Sequence, residues 1–256
     1  MINTGAFKII NRNFLAFKQT ISISLIWLFA EPLLMFLILG YGIGALIDGV
    51  EGMSYFKFVA PGFMIATLMH VCINETGIGF FTKLQEQKKL SQLSLVPISK
   101  RQVILGEIYW GAIKGLISTL LMLFLSLYIG LIPGVKVFSI LVIFVFTAFI
   151  FSSLGMMISS LSRDQNSFIL FQSLVVYPMY FLSGVFFPLD QLPSFLFSIS
   201  LIFPLTHAVM ACKALTMGNI ESIFFINLAV LFIYGFIFIN VAFVNMKKKL
   251  NIIFNL

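Results

Sequence analysis

Residues 137–161 read VFSILVIFVFTAFIFSSLGMMISSL, twenty-five positions without one charged side chain. A helix of that length rises about 37 Å, more than the roughly 30 Å hydrocarbon core of a bilayer. Stretches of the same texture recur on both sides of it. Across the 256 residues, 60% are hydrophobic and 10% charged, and mean hydropathy is +1.08. Soluble domains carry about a quarter charged residues, so a soluble fold is excluded. The chain reads as an all-α polytopic membrane protein.

Six transmembrane helices are expected: Ile21 to Ile47, Phe58 to Phe81, Val103 to Leu131, Val137 to Leu161, Phe168 to Phe187 and Ile223 to Val244. No short apolar core followed by a small-x-small site marks a cleaved signal peptide, so the first span is expected to be retained. Within it, Glu31-Pro32 predicts a break near the inner interface, because proline lacks an N–H and favours the first turn of a helix. Ahead of it, residues 4–20 mix Phe7, Ile10, Phe14, Leu15 and Phe17 with Lys8, Arg12 and Lys18, which suits an amphipathic interfacial helix. Residues 188–215 are apolar but interrupted by Pro188, Pro193 and Pro204, with His207 and Lys213 inside. Broken backbone at membrane depth has to be buried in protein or face water, so a re-entrant outer hairpin is expected there.

Charge placement sets the orientation. With six spans, Lys8, Arg12, Lys18, Lys83, Lys88, Lys89, Lys100, Arg101, Arg163 and Lys247 to Lys249 share one side, against Lys57, Lys136 and Lys213 on the other. The positive-inside preference then puts both ends in the cytoplasm, N-in and C-in. The net charge of +7 is thereby read as topology, not as a nucleic-acid surface. No linker or internal repeat divides the chain, so residues 1–256 are expected to form one transmembrane domain.

Candidate chemistry is sparse. No phosphate-binding G-x-x-x-x-G-K-[ST] loop and no G-x-S-x-G elbow occur, and neither His70 nor His207 has a second ligand at metal spacing. An intramembrane enzyme and a metal site are therefore not expected. The longest inner loop, residues 83–102, alternates polar Gln85, Glu86, Lys88 and Lys89 with apolar Leu84, Leu90, Leu93 and Leu95. It reads either as a turn against the headgroups or as a docking helix for a cytosolic partner. Intramembrane polar residues are costly and tend to face protein. Asn74 and Glu75 lie in the second span, and Glu107 and Lys114 lie two turns apart on the third. These charges either pair structurally or meet cargo.

The order of the basic interfacial segment, FAEPLLMFLILGYGIG (29–44), FVAPG (58–62), the inner amphipathic loop, LSGVFFPLDQLP (182–193) and PLTH (204–207) resembles the ABC-2 type ABC transporter permease family. The segments around Asn74 to Thr76 and Leu105 to Gly115 look most like nodulation-type lipo-oligosaccharide exporters. One departure is Lys213, where members usually carry Arg.

The resemblance implies a permease subunit in the bacterial inner membrane. It would dimerise with a second copy, bind two copies of a separate ABC ATPase that holds ATP and Mg, and export a lipid-linked saccharide or other amphipathic cargo. Drug and O-antigen-type polysaccharide exporters of the same family are the alternatives; a channel or an enzyme without an ATPase is the alternative of another class. On the same resemblance, Gln85 to Leu95 would be the coupling helix, with Gln85, Glu86, Lys88, Lys89, Leu90 and Leu93 at the ATPase. Tyr177, Tyr180 and Phe181 would line or gate the path, or simply pack.

Overall fold

The computed structural model describes residues 2–85, 98–218 and 222–254. These residues are nearly all helical: α1 (Ile2–Gln19), α2 (Ile21–Ala45), α3 (Tyr55–Leu84), α4 (Lys100–Tyr128), α5 (Gly134–Leu161), α6 (165–182), α7 (Ser194–Ser200), α8 (Pro204–Met217) and α9 (Ser222–Phe254). Among the described residues, α2, α3, α4, α5 and α9 are long and apolar enough to cross a membrane. The bent pair α7–α8 would bring the number to six if counted as one span.

Helix starts follow local chemistry. Ser99 caps α4 in a reciprocal box, its hydroxyl accepting from Gln102 N–H while the Gln102 side chain accepts from Ser99 N–H. Asp164 caps α6 by accepting from Ser167 N–H at 2.7 Å and from its hydroxyl at 2.6 Å. Those two bonds, the hydroxyl first, hold the exposed Asp164 carboxyl below its usual range.

In lipid, helices gain little from apolar burial against one another, and close packing through small residues takes over. At the crossing of α3 and α5, a Cβ on Gly155 would lie 2.9 Å from the Ile73 backbone. Any larger residue there pushes the two helices apart. Thr76 fills the remaining space and satisfies itself by donating to Cys72 O at 2.8 Å. This α3–α4–α5 contact forms the buried core, while α2 and much of α9 leave their apolar side chains exposed.

Several expected boundaries move. The first span is not broken at Glu31-Pro32; α2 runs through it, with a widened π turn over Ile26–Ala30 just ahead of the proline. Pro32 cannot donate to the carbonyl four residues back, which is Leu28 O. The Ser118 hydroxyl of α4 donates to that carbonyl instead, at 2.7 Å. The fifth expected span, α6, ends at Leu182, not Phe187, because Gly184 takes a left-handed φ of +71° and turns the chain. It is not among the helices long and apolar enough to span, since Gln165, Asn166, Gln172 and Ser173 dilute it. It nevertheless leads from the end of the bundle that holds Ser162 to the opposite end, where Lys213 binds Gly184 O at 2.8 Å beside Phe58.

The inner loop is also shorter than residues 83–102. Lys83 and Leu84 belong to the helical end of α3, whose last turn extends to Gln85, and Lys100 to Gln102 belong to α4. Of the residues expected to dock a partner, Glu86, Lys88, Lys89, Leu90 and Leu93 lie outside the described residues.

Between α7 and α8 the chain bends by 89°. Each carbonyl at this corner that a helix would have used finds a side chain: Thr206 donates to Ser200 O at 2.5 Å and Tyr234 to Ile202 O at 2.5 Å, while His207 Nε2 lies 2.9 Å from Leu201 O. Such a corner carries no unsatisfied acceptor into an apolar surrounding.

Helix α1 and the C-terminal end of α9 lie at one end of the bundle. Ile9 of α1, Leu84 of α3, Ile104 of α4 and Leu250 of α9 share one apolar cluster there, and Lys100 bonds Asn251.

Candidate functional site

The charged residues inside the bundle form an alternating ladder. Arg12 of α1 lies 2.6 Å from Glu107 of α4, Glu107 3.0 Å from Lys83 of α3, Lys83 3.6 Å from Glu75 one helical stretch back, and Glu75 2.7 Å from Lys114 of α4. Trp110 Nε1 also donates to Glu75 at 2.9 Å. Glu107 is only 1% exposed, and it accepts from two cations, whose charge offsets the cost of burying its carboxylate.

The ladder depends on helical geometry. Glu107 and Lys114 sit two turns apart on one face of α4, but they do not pair with each other. Glu75 and Lys83 of α3 interleave with them, because α3 and α4 run side by side and in opposite directions. Lys83 was read from the sequence as a loop residue; as the last turns of α3 it points instead between the two carboxylates. Arg12 joins from α1, whose buried face of Ala6, Ile9 and Asn13 follows helical spacing and lies on α4 near Gly106.

The far rung of the ladder opens into a cavity of about 1040 Å³ between α2, α3, α4 and α6. Glu75 and Lys114 form its polar floor, and Asn74, Tyr177, Tyr180 and Phe181 lie on its walls. Six of the seven intramembrane candidates thus meet at one cavity; Glu107 does not line it and stays buried one rung away. Lys114 is set 5.3 Å from the centre of the Phe17 ring and 5.9 Å from that of Trp110. Asn74 lies 3.2 Å from His70 Nε2 and accepts from Gln172 at 3.5 Å, a weak amide link between α3 and α6.

Three widened turns build this wall. Leu28 comes from the π turn Ile26–Ala30, Glu75, Ile78 and Gly79 from the π turn Glu75–Gly79, and Val176 from the π turn Gln172–Val176. In α2 and α6 the π turn directly precedes a proline, Pro32 and Pro178. A π turn shifts the side-chain register by one position and is frequent at functional sites. Here it turns side chains of three helices toward one space.

Reading the sequence missed Glu31, His70, Thr67, Thr20 and Ser24 as cavity residues. Glu31 was visible as the sole acidic residue in the first span, and its neighbour Pro32 drew the attention. The others carry no sequence signal of their own, since single Ser, Thr or His residues in spans are common.

Packed membrane-spanning helices around a polar-floored cavity are the architecture of a membrane transport subunit. The description of the ABC-2 type transporter family matches residues 5–217, and the chain belongs to that family. Members are transport components, not catalysts. The chain is 31% identical to Nodulation protein J of Sinorhizobium fredii over 198 residues, 77% of this chain and 76% of that protein. It is 29% identical to Nodulation protein J of Rhizobium leguminosarum bv. viciae over 223 residues, 87% and 86% of the two chains. Similarity extends to the inner membrane transport permease YadH of Escherichia coli, 26% identical over 69% of this chain and 68% of that one.

Proposed function

We propose that this chain is the permease subunit of an ATP-driven exporter, working as a homodimer with two copies of a separate ABC ATPase. Its cargo would be a lipid-linked saccharide or another amphipathic molecule, carried outward across the bacterial inner membrane. The observation that carries this reading is the cavity: a paired carboxylate and ammonium, hydroxyls and the Asn74 amide share it with aromatic and aliphatic walls. A molecule with a polar head and an apolar tail matches both halves, whereas a small ion needs no apolar wall of this size.

The exposed face of α2 and the neighbouring Tyr177 and Phe181 of α6 supply the surface on which a second copy would close the cavity. With α1 and the end of α9 at one end of the bundle, the positive-inside preference makes that end cytoplasmic, N-in and C-in, with α1 in the inner headgroup region presenting Phe7, Phe14 and Leu15. The α7–α8 corner then acts as the re-entrant outer hairpin.

Coupling follows from the ladder. Lys83 stands two residues before Gln85, where α3 leaves for the inner loop, and it bridges Glu107 to Glu75. An ATPase pressing on Gln85 to Leu95 would therefore displace a charge held by the cavity floor. ATP and Mg act on the partner chain alone.

The test is reconstitution of the permease with its co-purifying ATPase in vesicles holding a fluorescent lipid-linked oligosaccharide. ATP-dependent movement of the label supports the reading. Equal movement without ATP, or with the ATPase's nucleotide site disabled, refutes it.

A further inference from the structure

Among the charged side chains that line the cavity, Glu75 is neutralised by Lys114 at 2.7 Å and approached by Lys83 at 3.6 Å. Glu31 is different. Its side chain is exposed on the cavity wall, and among the described residues it has no hydrogen-bond or ion-pair partner. A carboxylate within an apolar span is costly unless something of opposite charge meets it. Besides the Glu75–Lys114 pair, the ionisable and aromatic groups that share the cavity with it are His70, Phe63, Tyr177, Tyr180 and Phe181, with His70 and Tyr180 within its electrostatic reach.

A carboxylate beside aromatic rings in a largely apolar space is the chemistry that recognises a cationic nitrogen, through a charge-assisted hydrogen bond on one side and ring faces on the other. The chain uses the same pairing on one of its own cations: Lys114 lies between the Glu75 carboxylate at 2.7 Å and the rings of Phe17 and Trp110. An anionic head beside Glu31 would meet like charge, and a neutral one would leave the carboxylate without an opposite charge.

We propose that the cavity takes amphiphiles that carry a cationic nitrogen, with the ammonium held between the Glu31 carboxylate and the rings of Tyr177, Tyr180 and Phe181 and the apolar chain lying along α2 and α6. This rests on the permease reading and narrows its cargo to amino-bearing amphiphiles.

The experiment uses the purified full chain in neutral maltoside micelles, without ATPase, and three photoactivatable probes with the same alkyl chain: a primary ammonium, a sulfate and a glucoside. The ammonium probe should bind at least tenfold tighter than the sulfate and label peptides of α2 and α6. E31Q should weaken ammonium binding roughly 10- to 100-fold, the worth of a charge-assisted bond, and leave the glucoside unchanged. Unchanged ammonium binding in E31Q, or tighter sulfate binding by the unsubstituted chain, overturns the proposal. Should E31Q lose all three probes through misfolding, E31D decides: it must still prefer ammonium to sulfate, and failure to do so is equally fatal. Phosphatidylethanolamine added to the micelles separates the sources. Competition assigns the site to a bilayer headgroup, and absence of competition assigns it to cargo. Because no ATP is used, failure of ATP-driven transport and failure of ammonium binding are read independently.

Discussion

Replacing Glu107 by glutamine removes the central carboxylate of the ladder and leaves two cations, Arg12 and Lys83, without it. Glu107 is 1% exposed, so water cannot take its place, and breaking a buried pair in this way typically costs about 3–5 kcal/mol. Two features of the structure lower that figure. Arg12 is 38% exposed and can turn to solvent, while Lys83, 28% exposed, keeps Glu75 at 3.6 Å. A loss of about 2–3 kcal/mol is therefore expected for E107Q, against about 1 kcal/mol for R12Q, whose removal leaves Glu107 still paired with Lys83. At about 2–4 °C per kcal/mol for a chain of this size, E107Q should lower the midpoint of heat-induced aggregation in detergent by about 4–12 °C. Fluorescence-detected size exclusion after graded heating measures it. The double variant E107Q/K83Q should fall short of the sum of its singles by about 1 kcal/mol or more, since the two residues share one interaction. Additive effects, or an E107Q variant as stable as R12Q, would show that the ladder does not act as a unit.

S118A should cost about 1–2 kcal/mol, because the Leu28 carbonyl left free by Pro32 loses its donor; in a P32A background the loss should shrink to a few tenths, since residue 32 then supplies the N–H, and the same heating assay compares the two. Changing Leu90 and Leu93 to Asp should abolish co-purification of the ATPase and ATP-driven transport while expression stays within twofold, and normal transport would leave the loop as a turn against the headgroups. A single cysteine at Lys248 should resist membrane-impermeant maleimide added to intact cells and react after lysis, whereas labelling from outside would overturn the N-in, C-in orientation.

Much of the fold was legible because the bilayer imposes length and polarity on each helix independently of the others. Residues 137–161 announce a span without any knowledge of their neighbours, and the family resemblance carried by residues 29–44 and 182–207 agrees with the family found over residues 5–217. Positions of intramembrane charges were legible for the same reason, as exceptions in an apolar run. Their partners were not. Lys83 read as a loop residue because its charge, taken alone, belongs outside; only the side-by-side course of α3 and α4 places it between Glu75 and Glu107. Glu31 read as an interface marker because Pro32 suggested a helix start. The π turn over Ile26–Ala30 and the Ser118 bond to Leu28 let α2 continue instead, and that rotation sets Glu31 on the cavity wall. Apolar length is a property of one segment and survives in one dimension, whereas a cavity and a charge ladder exist only where several segments meet, at distances that packing alone decides.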